Sequence, residues 1–284
     1  MPEFILENTG NDQAQITAIF TDYELKAAFD ETKYPIEGIN YYFDNSFDSD
    51  ELNVDNKQHL YNLLQGLDML YILLDPSDKN KTIRVLKILA VAKDIGILTV
   101  IITTMPFPWE DNSHHEMAEI NIGMIKCIAD SLVIIPTDPS QDSQEIDQIW
   151  NLKNKLAIKA VRAPTEIITR RGLIRIDFAD VRAVMSQMGL ATMGVGKVSG
   201  KTRARLATDQ ALKSSSLDFV GLTKAKGVLV TITAGMNLGI GEFEEVGEIV
   251  NAIAPRSSTI VIGTVIDVDM IDELHVTIIA TGIE

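Results

Sequence analysis

The sequence predicts an α/β chain with a mostly parallel sheet at its start and a smaller α+β region at its end. Short apolar, β-branched runs alternate with helical periodicity through the first half. One long amphipathic stretch, residues 144–169, then separates that pattern from a different one. After Arg171 the order reads helix, helix, strand, helix and two strands.

Taken in order, QITAIF, INYYF, DMLYILL, ILTVIITT and SLVIIPT read as five short strands. Helices are expected over residues 81–93 and 115–129, with Asp94, Ile95 and Gly96 marking the exit of the first. Pro164 is expected to kink or interrupt the long stretch, because proline removes a backbone donor inside a helix. The last strands are GVLVTITAG, TIVIGTVID and LHVTIIATGI. The chain thus divides into residues 1–145, a connecting helix over 146–170, and residues 171–284.

Composition narrows the function classes. With 284 residues, 46% of them hydrophobic, the chain can bury one large core or two modest ones. A formal charge of −15, from 40 acidic and 25 basic residues, repels nucleic acid, whose binding is dominated by basic contacts. The single cysteine, Cys127, excludes an intramolecular disulfide and sits in a periodic stretch that predicts a buried filler. With neither a secretory leader nor a long apolar run, a cytoplasmic protein is expected. His114 and His115 lack the i, i+4 spacing of a zinc pair, so no metal site is expected.

Segments of the C-terminal part, IDFADVRAVMSQMG, GVLVTITAGMNL, EFEEVGEIV and DVDMIDELHVTIIATGI, resemble successive segments of the FtsZ family in the right order. Upstream, VAKDIGILTVIITTMPFPWE and DSLVIIPTD resemble the later strands of that family's nucleotide-binding domain. The resemblance implies a tubulin/FtsZ-like fold: a Rossmann-like parallel-sheet domain over 1–145, a central helix over 146–170, and an activation-type α+β domain over 171–284.

It also implies where a nucleotide would sit, and there the sequence departs from the family. Glycine-rich loops bind phosphates because backbone N–H groups approach closely at a helix N-terminus. The family's GGGTGTG signature falls on Ser77-Asp78-Lys79-Asn80-Lys81-Thr82-Ile83, where only Thr82 is retained. Asp75 is expected to cap the helix that follows, with Pro76 at its first position and Asp78 near its third. In the first loop, Thr21, Asp22, Tyr23 and Glu24 stand where the family has glycines, and the third loop is short. Two like charges about 4 Å apart at an effective dielectric near 20 repel by roughly 4 kcal/mol, so Asp22 or Asp78 opposes a triphosphate. The expectation is therefore no bound cofactor, with GTP or GDP as the alternative.

Some positions match the family's nucleotide contacts. Asn45 falls on a ribose-side asparagine and Glu110 on a ribose-contacting glutamate, with His114 on the neighbouring arginine. Trp150 overlies the aromatic that stacks on guanine, and Asn154 the base-reading asparagine. At helical spacing, Trp150 also reads as an apolar-face residue and Asn154 as a solvated polar one.

The element that resembles the family best is the loop that one subunit inserts into its neighbour's nucleotide pocket. It reads Arg175-Ile176-Asp177-Phe178-Ala179-Asp180. In the family, its two aspartates orient the attacking water, so the resemblance assigns that role in trans to Asp177 and Asp180. Arg175 replaces an asparagine and would act as an electrostatic clamp or arginine-finger-like group. The residue-level alternative is that Asp177 caps the next helix and Arg175 is a solvated surface residue. Lys201 and Thr202 stand where the resembling segment carries acids.

The resulting expectation is a pseudo-GTPase of the cell-division cytoskeleton that joins or caps filaments of an authentic FtsZ, or of itself, through longitudinal contacts. The alternatives are a polymerising GTPase with altered loops and a scaffold that self-associates without nucleotide. No direct membrane binding by this chain is expected; its last residues, ATGIE, lie ahead of the tail through which family members meet membrane tethers, and recruitment through such a tail stays open.

Overall fold

The computed structural model describes residues 14–20, 36, 39–43, 57–135, 146–214, 217 and 219–284. Five strands of the N-terminal half, β1 (Ile16–Phe20), β2 (Ile39–Phe43), β3 (Met69–Leu74), β4 (Leu98–Thr104) and β5 (Ser131–Ile135), fall where the apolar runs predicted them. Helices α1 (Lys57–Leu64), α2 (Lys79–Asp94), α3 (Asn112–Lys126) and α4 (Ile146–Thr169) accompany them. The C-terminal half adds α5 (Phe178–Met185), β6 (Leu190–Ser199), α6 (Arg203–Leu212), α7 (Phe219–Lys224), β7 (Gly227–Ala234), α8 (Ile240–Ile253), β8 (Thr259–Ile266) and β9 (Glu273–Ile283).

Among the described residues, nine strands form one sheet, ordered β2-β1-β3-β4-β5-β6-β9-β7-β8, in which only β9 runs against its neighbours. The halves meet where β5 pairs with β6, Leu132 opposite Leu190 and Val133 opposite Ala191. Alternation along β3 explains the layering. Met69, Tyr71 and Leu73 face a cluster that holds Ala157, Val161 and Ile167 of α4 together with Val184, Leu229 and Ile279 of the C-terminal half. Leu70, Ile72 and Leu74 face the opposite cluster with Val85, Ile88 and Leu89 of α2. A third cluster packs α6 and α8 on the C-terminal strands. No helix among the described residues is long and apolar enough to cross a membrane.

Three local expectations change. The strand β6 escapes sequence reading because Gly194 and Gly196 break its apolar alternation. A Cβ at those positions would meet the Ala211 and Ala207 carbonyl oxygens of α6 at 2.1 and 1.8 Å, so both glycines let the helix lie on the strand. Pro164 does not interrupt α4, which is continuous over 24 residues. Around it, Thr165 Oγ1 donates to the Val161 carbonyl at 2.8 Å and Thr231 Oγ1 of β7 to the Ala163 carbonyl at 3.3 Å, tying this part of the helix to the sheet. Cys127 is exposed rather than buried, because α3 ends at Lys126 and turns it outward.

Candidate functional site: two opposite ends of the parallel sheet

In open α/β sheets, ligands bind beyond the carboxyl ends of the strands, which makes the turn from β3 into α2 the first place to look. Asp75 Oδ1 accepts from the Ser77 backbone N–H at 2.9 Å and from its hydroxyl at 2.7 Å, closing a side-chain turn. Asp78, not Asp75, is the N-cap: its Oδ1 accepts from the N–H groups of Asn80 at 2.8 Å and Lys81 at 3.0 Å. The helix begins three residues later than Pro76 predicts because Asp75 is already committed to Ser77. Thr82, the retained signature residue, is buried, and its hydroxyl donates to the Asp78 carbonyl at 2.8 Å. From α3, buried Asn121 donates to the Pro76 carbonyl at 2.7 Å and pins the turn from behind.

Beside this turn, Glu110 follows β4. Its Oε1 accepts from the Phe107 N–H at 2.8 Å, and its Oε2 lies 3.3 Å from His114 Nδ1. Trp109 is 51% exposed and stacks on buried Phe107, with ring centroids 4.7 Å apart. His115 turns to the Phe107 carbonyl at 3.0 Å. Trp150 and Asn154 lie on α4, one turn apart, but their side chains are outside the described residues, as are Thr21, Asp22 and Asn45.

The loop before α5 occupies the other end. Arg182 of α5 donates to the Asp68 and Gly96 carbonyls, at 3.2 and 3.0 Å, and these residues precede β3 and β4. Ser131, which opens β5, donates to the Met185 carbonyl at 2.7 Å. Helix α5 therefore lies along the amino ends of three parallel strands, and Asp177 and Asp180 lie within two turns of Arg182. The segment leading to them is held on the β8 edge, where Ile266 donates to the Arg171 carbonyl at 3.0 Å and Ile174 to Thr264 Oγ1 at 3.1 Å.

Arg175, Asp177 and Asp180 are all exposed. Asp177 caps α5 by accepting from the Asp180 N–H at 2.9 Å, and Asp180 returns the bond by accepting from the Asp177 N–H at 3.2 Å. The capping alternative is thus realised, yet each carboxylate keeps acceptor capacity facing solvent.

Sequence reading missed two charged groups. Arg203, at the start of α6, is 4% exposed and donates through Nε to Glu242 Oε1 at 2.7 Å and through NH2 to Oε2 at 3.0 Å. The other is a stripe of Lys155, Lys159 and Arg162 along α4, with Arg170 just past its end, facing a cleft against the C-terminal strands. The spacing of the stripe was its available signal; Arg203 had none, because burial of an arginine is decided by its partner.

This architecture, a parallel α/β sheet joined through a long helix to a mixed C-terminal unit, is the tubulin/FtsZ-like fold. A solved tryptophan-to-tyrosine mutant of FtsZ from M. jannaschii is similar with a TM-score of 0.84 at 25% identity, over 95% of this chain and 92% of that one. An empty FtsZ dimer from M. jannaschii gives 0.83 at 25% identity, over 95% and 88%. Residues 189–284 match the model of the FtsZ family, C-terminal domain. The cell division protein FtsZ of Coxiella burnetii is 43% identical over 231 residues, which is 80% of this chain and 60% of that protein. The chain is thus similar to proteins of the FtsZ family, and spans about 60% of the length of that curated relative.

Proposed function

We propose that this chain is a cytoplasmic, cell-division protein of the FtsZ type whose own nucleotide site is degenerate, and which joins filaments of an authentic FtsZ, or of itself, through its Arg175–Asp180 face. The observation that carries this reading is Asp78 bonded to the N–H groups of Asn80 and Lys81, since a helix N-terminus satisfied by its own carboxylate offers little to a phosphate. The second support is placement. A head-to-tail contact needs two different faces at opposite ends of the subunit, and the Asp177 loop lies at the amino ends of strands whose carboxyl ends lead to Asp78. In this reading Asp177, Asp180 and Arg175 act on a partner's nucleotide, while the chain's own turn receives none, so addition at that end stops.

Mixing the purified protein with an authentic FtsZ and GTP tests the proposal. Filament shortening and a changed GTPase rate across a stoichiometric range are expected, whereas unchanged filaments and rate reject it. A second reading, a polymerising GTPase with altered loops, is favoured by 43% identity to a protein named cell division protein FtsZ. A thermal shift with GTP and Mg²⁺ separates the two, because a ligand at ~100 times its Kd stabilises by roughly 2.7 kcal/mol. In the degenerate-site reading, Glu110, Trp150, Asn154, Asn45 and Thr82 bind no nucleotide; in the other they line its pocket.

A further inference from the structure

Asp177 lies between two side chains that fix its backbone. Ile176 rests on β8 so closely that a Cβ on Gly263 would stand 2.5 Å from Ile176 Cγ1, and both Ile176 and Phe178 pack against the core cluster that holds α4. Phe178 opens α5, and the guanidinium of Arg182, one turn further on, lies over its ring with Cζ 5.1 Å from the centroid. The same guanidinium directs Nη2 at two backbone carbonyls, that of Asp68 at 3.2 Å and that of Gly96 at 3.0 Å.

Among the described residues Arg182 forms no ion pair, so its charge does not serve to neutralise a carboxylate. Donation from a cation to two carbonyls fixes geometry instead. With eight residues, α5 is too short to persist on its own, and its placement depends on ties of this kind. Asp180 sits between Phe178 and Arg182 in the chain and bonds back to the Asp177 N–H, so the two carboxylates move with the first turn of α5 as one unit.

We propose that Arg182 is the positioning residue of this loop. By tying Phe178 and α5 to the amino ends of β3 and β4, it holds Asp177 and Asp180 in the orientation in which they act on a partner's nucleotide. The inference rests on the proposed function and deepens it, and it gives Arg182 no contact of its own with the partner.

The GTPase rate of a fixed amount of authentic FtsZ, followed against added protein, yields a plateau change and a half-saturating concentration. Arg182→Met should cut the plateau change roughly tenfold and leave half-saturation near the parental value, since a catalytic group misplaced by about 1 Å costs on the order of 10²-fold. Arg182→Gln, too short to serve both carbonyls, should do the same and carries the test if the methionine variant does not fold. Gly196→Ala, destabilised at a distance from the loop, should keep the parental plateau, which separates positioning from stability. Amide exchange in the Arg182 variants should quicken over residues 177–181 and stay parental in β9. A parental plateau in both variants, whatever their half-saturation, or parental exchange over residues 177–181, overturns the assignment alone. If the parent protein itself leaves the rate unchanged at every ratio, the proposed function is rejected and the assignment falls with it.

Discussion

Asp177 and Asp180 hold each other's backbone: the Asp177 carboxylate accepts from the Asp180 N–H at 2.9 Å, and the Asp180 carboxylate from the Asp177 N–H at 3.2 Å. The pair therefore has a structural duty and, in the proposed function, a second one toward a partner's nucleotide. Substitutions can separate them. Asp177→Ala should lower stability by about 1 kcal/mol through loss of the cap. Asp177→Ser keeps a capping oxygen, so urea denaturation should give parental stability within roughly 0.5 kcal/mol. If the carboxylate acts in trans, Asp177→Ser should still lose its effect on the GTPase rate of an added FtsZ. Retention of that effect by Asp177→Ser would assign Asp177 to capping alone.

The same logic applies at the other end of the sheet. Asp78→Asn should preserve the cap of α2 and leave the urea midpoint near the parental value, whereas Asp78→Ala should cost about 1 kcal/mol. Because Asn keeps the Asn80 and Lys81 N–H groups occupied whereas Ala frees them and also removes the charge, Asp78→Ala is the variant in which a GTP-dependent thermal shift should first become measurable.

Close packing of α6 on β6 gives a prediction independent of function. Gly196→Ala puts a methyl group 1.8 Å from the Ala207 carbonyl oxygen, a backbone atom that cannot swing aside. A loss of about 1–3 kcal/mol is expected on urea denaturation. Gly241→Ala, where an added Cβ meets nothing within 4 Å, serves as the comparison and should be stabilising or neutral.

Acid should weaken the protein partly through Glu242. Its hydrogen bond from buried Arg203 holds its carboxyl below the usual glutamate range, helped by the Gly239 N–H and the Arg203 charge and opposed by burial. With the folded pKa depressed, the unfolded state binds the proton more readily, so this contribution is present above the unfolded value near 4.3 and is lost as pH falls through the folded one. Glu242→Gln should cost roughly 2–3 kcal/mol at neutral pH by leaving Arg203 short of its partner. The difference in Tm between parent and variant should shrink as the pH falls below about 4. A difference that stays constant with pH would remove Glu242 from the acid response.

Much of the fold was legible because its signals are local. The five N-terminal strands are short runs rich in β-branched, leucine and aromatic residues, and the long amphipathic period of α4 stands out in the same way. The exposed Arg175, Asp177 and Asp180 were legible as a motif. Their mutual bonds were also within reach, since an aspartate three residues before another at a helix start is a capping pattern.

By itself, the sequence determined the order of elements, the acidic turn in place of a glycine-rich one, and the segments that resemble FtsZ, because these depend on residues close together in the chain. Only the tertiary structure decided that β6 exists, that α4 continues through Pro164, and that Asp78 rather than Asp75 is the cap. Groups distant in sequence bear on two of these: the Ala207 and Ala211 carbonyls lie against the β6 glycines, and Asn121 holds the turn behind Pro76, where the local Asp75–Ser77 bonds shift the cap to Asp78. The tertiary structure likewise set Asp177 at the end of the sheet opposite Asp78, since Arg182 reaches carbonyls 114 and 86 residues away in the chain. Long-range contacts of that kind carry no local signature.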